Sequence, residues 1–112
     1  MNITCTWEFS LISNSATSDI PGELDQVMSE LLALEACTVG LADSAIGLDL
    51  ATMTAEISVS VEADSPEAAI ATAMGSIRTA IHAAGGSTAG WPSVSDFVGS
   101  GIVFEPRQLT AV

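Results

Sequence analysis

The sequence predicts an α+β fold in which two helices pack on one face of a four-stranded antiparallel sheet. Two segments alternate apolar and polar residues with the period of a strand, and two others repeat apolar residues with the period of a helix. The chain has 112 residues, of which 48% are hydrophobic, so it can bury one core but not two. We expect a single domain over residues 1–112, least defined from about residue 93 onward.

The N-terminal part of the chain predicts a strand followed by a capped helix. Residues 2–11 alternate apolar and polar side chains, which is typical of a half-buried strand. Ser18 or Asp19 can then cap a helix whose first turn contains Pro21 and which ends near residues 35–36. The apolar stripe of this helix is Ile20, Leu24, Val27, Met28, Leu31 and Leu32.

The middle of the chain predicts a hairpin with a long loop. Cys37, Val39 and Leu41 restore a period of two, and the following "DSAIGLD" interrupts it. A second alternating strand runs over residues 53–61. Cys37 and Cys5 both occupy apolar positions without CxxC spacing, so we expect two buried thiols in a reducing compartment.

The second helix, "DSPEAAIATAMGSIRTAIHAAGG", has the clearest signals in the chain. Ser65 caps it, Pro66 fits the first helical position, and Gly85 or Gly86 supplies a left-handed end. Its buried stripe is predicted to be Ile70, Met74, Ile77 and Ile81.

The C-terminal part predicts a short turn around Asp96 and a last strand near residues 102–105. The order of elements is then βαββαβ. Because each helix has one apolar stripe and the sheet has one apolar face, the pattern predicts a ferredoxin-like sandwich.

The composition is strongly acidic. The net charge is -12, from fourteen carboxylates against two arginines and no lysine, so the chain repels polyanions. We therefore expect no nucleic-acid and no membrane partner. The acidity is compatible with colloidal solubility, with a basic protein partner or with adaptation to salt. The N-terminus lacks a basic leader and no apolar run is long enough for a bilayer, so we expect a cytoplasmic protein.

The stretch "HAAGGSTAGWP" holds the single histidine, His82, and a glycine run. These glycines follow a helix instead of preceding one, where the negative end of the helix dipole disfavours phosphate. His82 lies one helical turn after Arg78 and gains from the dipole when protonated. Trp91 can anchor the connection between the second helix and the last strand, or it can serve as a partly exposed recognition residue. These three residues form a candidate ligand patch.

Signatures for catalysis and for metal binding are missing from the sequence. There is no GxSxG, no Cys-His pair, no second histidine and no EF-hand spacing. We therefore predict no catalytic residues, no metal and no cofactor.

The outer side of the second helix is small and nearly uncharged, whereas exposed helical faces normally carry charged or long side chains. The residues of this face are Ala68, Ala71, Thr72, Gly75 and Thr79. Such a face permits close approach of another helix, and we predict a homodimer interface there; an alanine-rich surface helix would look the same. A second candidate surface is the hydroxyl-rich outer face of the sheet.

The segment "SDIPGELDQVMSELLAL" resembles the start of the first helix in ACT domains. The matching residues are Asp19, Pro21, Gly22 and Leu24. The resemblance implies a ferredoxin-like module that binds an amino acid or another small effector beside this turn. Asp19, Pro21 and Gly22 are then candidate ligand-binding residues.

A longer segment, residues 34–92, resembles a group of small actinobacterial proteins, most specifically in "RTAIHAAGG" followed by "GWP". This resemblance implies the same fold and a bacterial cytoplasmic origin, and it implies no mechanism.

Three functional hypotheses follow. The first is a non-catalytic binding or assembly protein that acts through self-association or a protein partner. The alternative is an ACT-like sensor of a small ligand, and the third is an enzyme that uses Arg78 and His82. An apolar pocket beside the "DIPG" turn would favour the sensor, and a cleft that holds His82 beside a carboxylate would favour the enzyme. A flat apolar patch on the second helix would favour the assembly protein.

Overall fold

The computed structural model of the chain describes residues 1–13, 19–88 and 102–112. The elements are β1 (Asn2–Ser13), α1 (Ile20–Cys37), β2 (Leu41–Asp49), β3 (Thr54–Glu62), α2 (Pro66–Ala83), β4 (Ser87–Thr88) and β5 (Ile102–Ala111). The strands form one five-stranded sheet in the order β2-β3-β1-β5-β4. The α+β class is thereby confirmed.

The sheet differs from the expected four antiparallel strands by one short addition. β1 pairs antiparallel with β3 and β5, and β2 pairs antiparallel with β3. β4 lies parallel to the start of β5, with Ser87 beside Val103 and Thr88 beside Phe104. The chain leaving α2 therefore adds a fifth strand at the edge, and β5 extends to Ala111, well beyond the predicted end of the last strand.

β1 divides the sheet into a core face and an open face, as its alternation predicts. Its buried side chains are Cys5, Trp7, Phe9 and Leu11. On the open face, hydroxyl groups pair across the strands: Thr4 with Ser60 and Thr6 with Ser58, each at 2.8 Å. Both helices cover the core face, where the Phe9 and Phe104 rings meet edge to face at 5.8 Å.

The predicted hairpin is wrong in its first half. α1 continues to Cys37, whose thiol is exposed, and Val39 is fully exposed in the turn that follows. The supposed loop "DSAIGLD" instead makes up most of β2. Its pattern is broken because the register with β3 shifts between Ala42 and Ala45, where Asp43 has a positive φ of 55°.

α2 begins and ends as predicted, and of its predicted buried stripe Ile77 and Ile81 are confirmed. The Ser65 hydroxyl accepts a hydrogen bond from the Ala68 N–H, and Gly85 has a φ of 93°. Ile70 and Met74 of the predicted stripe are only half-buried. The buried residues are Ala69, Ala73, Ile77, Ala80 and Ile81. The three buried alanines let the helix axis approach the sheet closely.

Candidate binding site

An apolar groove of about 410 Å³ lies between α1 and β2, beside the predicted "DIPG" turn. Its walls consist of Pro21, Leu24, Asp25 and Met28 from α1 and of Ala45, Ile46 and Leu48 from β2. The volume falls within the range of sites for small ligands. The groove is open to solvent along its length, so it can also accept part of a longer chain.

The "DIPG" turn begins α1 and places the helical wall of the groove. The Asp19 carboxylate accepts a hydrogen bond from the Gly22 N–H at 3.1 Å, and Pro21 occupies the first turn, where a missing N–H is tolerated. A side chain at Gly22 would collide with the Asp19 carboxylate. Of the three candidate ligand residues in this turn, only Pro21 lines the groove; Asp19 and Gly22 form the helix cap.

The opposite wall of the groove belongs to a strand with one side free. β2 pairs with β3 and stands at the end of the sheet, so no strand of the described chain lies along its outer edge. Between Ala45 and Asp49 its register with β3 is regular. Backbone N–H and C=O groups on such an edge are available to another chain. The groove and a regular free edge therefore lie side by side.

The bulge that precedes this regular stretch is fastened to α1. The Ser44 N–H donates a hydrogen bond to the Glu35 carboxylate at 3.3 Å. The Ser44 hydroxyl oxygen is buried and has no hydrogen-bond partner within the described residues. The helix and the strand are thus joined by a hydrogen bond at Glu35 and Ser44.

Among the described residues that line the groove, Asp25 is the one with a charged side chain. This carboxylate is exposed and has neither a hydrogen bond nor an ion pair with any described residue.

Apolar side chains continue along α1 past the groove. Met28 in the groove is half-buried, and Leu32, one helical turn further along α1, is 52% exposed. Leu32 was expected in the buried stripe, but the buried residues of α1 are Leu24, Val27 and Leu31. Apolar surface therefore continues along the helix beyond the groove.

His82 is placed as a structural hydrogen-bonding residue. Its Nε2 lies 3.0 Å from the Thr88 hydroxyl. Burial, and to a lesser extent the nearby Arg78 guanidinium, lowers the pKa of His82 below its ordinary value. These two effects oppose the expected stabilisation of a protonated His82 by the helix dipole, which stays a prediction. Trp91 lies outside the described residues, so the proposed patch with Arg78 stays a prediction.

Glu23 makes a contact that the sequence analysis did not anticipate. It lies in the first turn of α1 and its carboxylate accepts a hydrogen bond from the Ile102 N–H at 3.2 Å. Burial raises the pKa of Glu23, and the hydrogen bond from Ile102 opposes this in part. Nothing in the local pattern links these two residues, which are 79 positions apart. Glu23 fastens the start of β5 to α1 on the side of the core.

The predicted dimer face on α2 is oriented towards solvent. Ala68, Ala71 and Thr79 are exposed, and Thr72 and Gly75 are half-buried. A methyl group built on Gly75 would meet no atom within 4 Å. These residues are accessible as the dimer hypothesis requires, and the dimer itself stays a prediction.

The open face of the sheet carries a feature that the sequence analysis missed. Glu8 of β1 lies directly across from Glu56 of β3, and both line a shallow depression of about 150 Å³ with Gln108. Like charges in this position destabilise a sheet. No group of three or more His, Cys, Asp or Glu residues suited to a metal ion occurs among the described residues.

Comparison of the chain with models of protein families, with curated proteins and with solved structures finds no match. The resemblances to ACT domains and to the actinobacterial group therefore stay predictions. Within the described residues, neither helix has the length and apolar content needed to cross a membrane.

Proposed function

We propose that this protein is a non-catalytic binding module that captures an extended segment of a protein partner along β2. The segment adds a strand beside residues 45–49, and its apolar side chains enter the groove between α1 and β2. The observation that carries this proposal is the position of the apolar groove directly beside a regular, free strand edge.

The two parts of the site supply two kinds of recognition. The backbone of the strand edge offers hydrogen bonds that are independent of the partner's sequence, whereas the groove selects apolar side chains on one side of the added strand. Ile46 and Leu48 are half-buried and Met28 lies opposite them, so the groove loses further apolar surface when a segment enters.

The proposal includes a ferredoxin-like fold. The four longer strands run in the order β2-β3-β1-β5, with both helices on the core face, and this supports it. In that arrangement β2 is an outer strand, which leaves its free edge available to a partner. A cytoplasmic location is part of the same proposal.

A second candidate is an ACT-like sensor of a small ligand. The groove volume of about 410 Å³ and its position beside Pro21 support this alternative. A small ligand would use the groove alone and would leave the strand edge unpaired, so the two candidates differ in the length of the occupant.

Selection of random nine-residue peptides, matched to the length of β2, against the immobilised chain tests the proposal. Enriched peptides are synthesised and titrated by fluorescence anisotropy against wild type and Met28→Gln. This substitution keeps the side-chain length and removes an apolar contact, so we expect binding about tenfold weaker. The matched control is Met74→Gln, the same change at a half-buried position of α2 outside the groove; it should leave the affinity unchanged.

Two results would contradict the peptide-binding proposal. One is the absence of any enriched peptide, and the other is equal affinity for wild type and Met28→Gln. If no peptide binds while a free amino acid raises the melting temperature of wild type but not of Met28→Gln, the sensor replaces the peptide-binding module.

A further inference from the structure

We infer that the segment captured by β2 is basic, with lysine or arginine residues beside the apolar side chain that enters the groove. This inference rests on the proposed function and names the chemistry of its partner. It starts from Asp25, the one charged residue in the groove lining. Because Asp25 has no partner among the described residues, its carboxylate is available to a cation carried by the bound segment.

All charged side chains on the two elements that form the groove are acidic, although the Glu23 carboxylate contacts the Ile102 N–H and not the groove. The charged residues of α1 are Glu23, Asp25, Glu30 and Glu35, and those of β2 are Asp43 and Asp49. Every one of them is a carboxylate. The ion pair found among the described residues joins the Met1 amino group to Glu62, on β3. Arg107 donates a hydrogen bond to Ser10 on the open face, away from the groove.

The negative charge of the site favours a basic partner over a second copy of this chain. In a symmetric antiparallel pairing of two β2 strands centred on Ile46, Asp43 of one copy would lie across from Asp49 of the other. Like charges that face each other across strands are destabilising. The net charge of -12 adds repulsion between copies as they approach and attracts a cationic segment.

A cation bound at Asp25 also fixes the position of the bound segment in the groove. A lysine or arginine places its charge at Asp25 while its aliphatic stem lies along the apolar wall near Met28. A neutral segment makes the backbone and apolar contacts without this anchor, and an acidic segment is repelled by the Asp25 carboxylate. Charge therefore determines which segments bind, and burial of apolar side chains stabilises the complex.

The test uses three capped nine-residue peptides, which alternate valine with lysine, glutamine or glutamate. Each is titrated by fluorescence anisotropy against the full chain at low and at high salt. We expect the lysine peptide to bind tightest, the glutamate peptide weakest, and salt to weaken the lysine peptide selectively. Asp25→Asn should weaken the lysine peptide about threefold and leave the glutamine peptide unchanged.

The control variant is Glu67→Gln, which removes an exposed carboxylate from the first turn of α2. It should affect no peptide. Equal weakening of the lysine peptide by Glu67→Gln and Asp25→Asn would overturn the inference, because the attraction would then follow net charge alone. Equal affinity for the lysine and glutamine peptides would overturn it as well and leave the proposed function intact. Failure of all three peptides to bind would overturn both.

Discussion

Tertiary contacts act in opposite directions on the pKa of Glu23. Its position in the first turn of α1 and its hydrogen bond from the Ile102 N–H both favour the charged carboxylate. Burial acts in the opposite direction and is the larger effect, because the pKa of Glu23 is raised. The folded protein therefore binds a proton at Glu23 more tightly than the unfolded chain does.

The pKa of Glu23 predicts a pH dependence of stability. A raised pKa stabilises the fold below the ordinary value of 4.5, and this contribution is lost as the pH rises through the folded-state pKa. Glu23→Gln keeps an acceptor for Ile102 and has no charge to desolvate. We expect this variant to match wild type near about pH 4 and to have the larger free energy of unfolding near about pH 7.

Urea unfolding followed by circular dichroism measures this difference at both pH values. Glu67→Gln serves as the matched change in the first turn of α2, where the carboxylate is exposed. A Glu23→Gln variant less stable than wild type at neutral pH would show that the hydrogen bond outweighs desolvation.

At the scale of elements, β2 and α2 show where local patterns do not determine packing. β2 was expected to be a loop because its alternation is interrupted at Asp43 and Ser44, and pairing with β3 makes it a strand. α2 buries Ile77 and Ile81 as expected. It also buries Ala69 and Ala73 fully, whereas Ile70 and Met74 of the expected stripe are only half-buried. In both cases the neighbouring element selects which residues are covered.

The close approach of α2 to the sheet predicts opposite effects of enlarging two neighbouring positions. Ala73 is fully buried, so Ala73→Leu should overpack the contact and lower the free energy of unfolding by about 1–3 kcal/mol. Gly75 has open space around it, so Gly75→Ala should raise that free energy by about 0.5–1 kcal/mol through helix propensity. Guanidinium unfolding of the two variants measures both changes. A tolerated Ala73→Leu would mean that the helix does not pack as tightly as its buried alanines indicate.

At the scale of the whole molecule, charge repulsion and apolar contact act in opposite directions on self-association. Repulsion from a net charge of -12 opposes association of identical copies, and salt screens this repulsion. The predicted dimer face on α2 carries no carboxylate, so we expect two copies to meet there with little repulsion, whereas all charged residues of α1 and β2 are acidic. The predicted homodimer and the proposed basic segment would therefore use different surfaces.

We predict a dimer whose fraction increases with salt and which Gly75→Glu dissociates, because the substitution places a carboxylate in the α2 face. Light scattering after size exclusion at several concentrations gives the mass of wild type and of the variant. Ala33→Glu, at an exposed position of α1, is the control and should remain dimeric. A wild-type mass equal to that of a monomer at every concentration, or dissociation by both variants, would exclude the α2 interface.

The sequence by itself determined the features that depend on neighbouring residues along the chain. The alternation of β1 and β3 and the cap at Ser65 follow from local geometry and were predicted correctly. Asp19 and Gly85 were each one of two residues predicted for their roles. Among the candidate ligand residues that the structure describes, Pro21 is the one that lines the groove.

Only the tertiary structure decided the extent of β2, the added strand β4, the burial of alanines in α2 and the contact of Glu23 with Ile102. Each depends on a partner distant in sequence. The groove has the same origin, because four of its residues come from a helix and three from a strand that was expected to be a loop. Local periodicity specifies which way a side chain faces within its element, whereas packing specifies what lies opposite it.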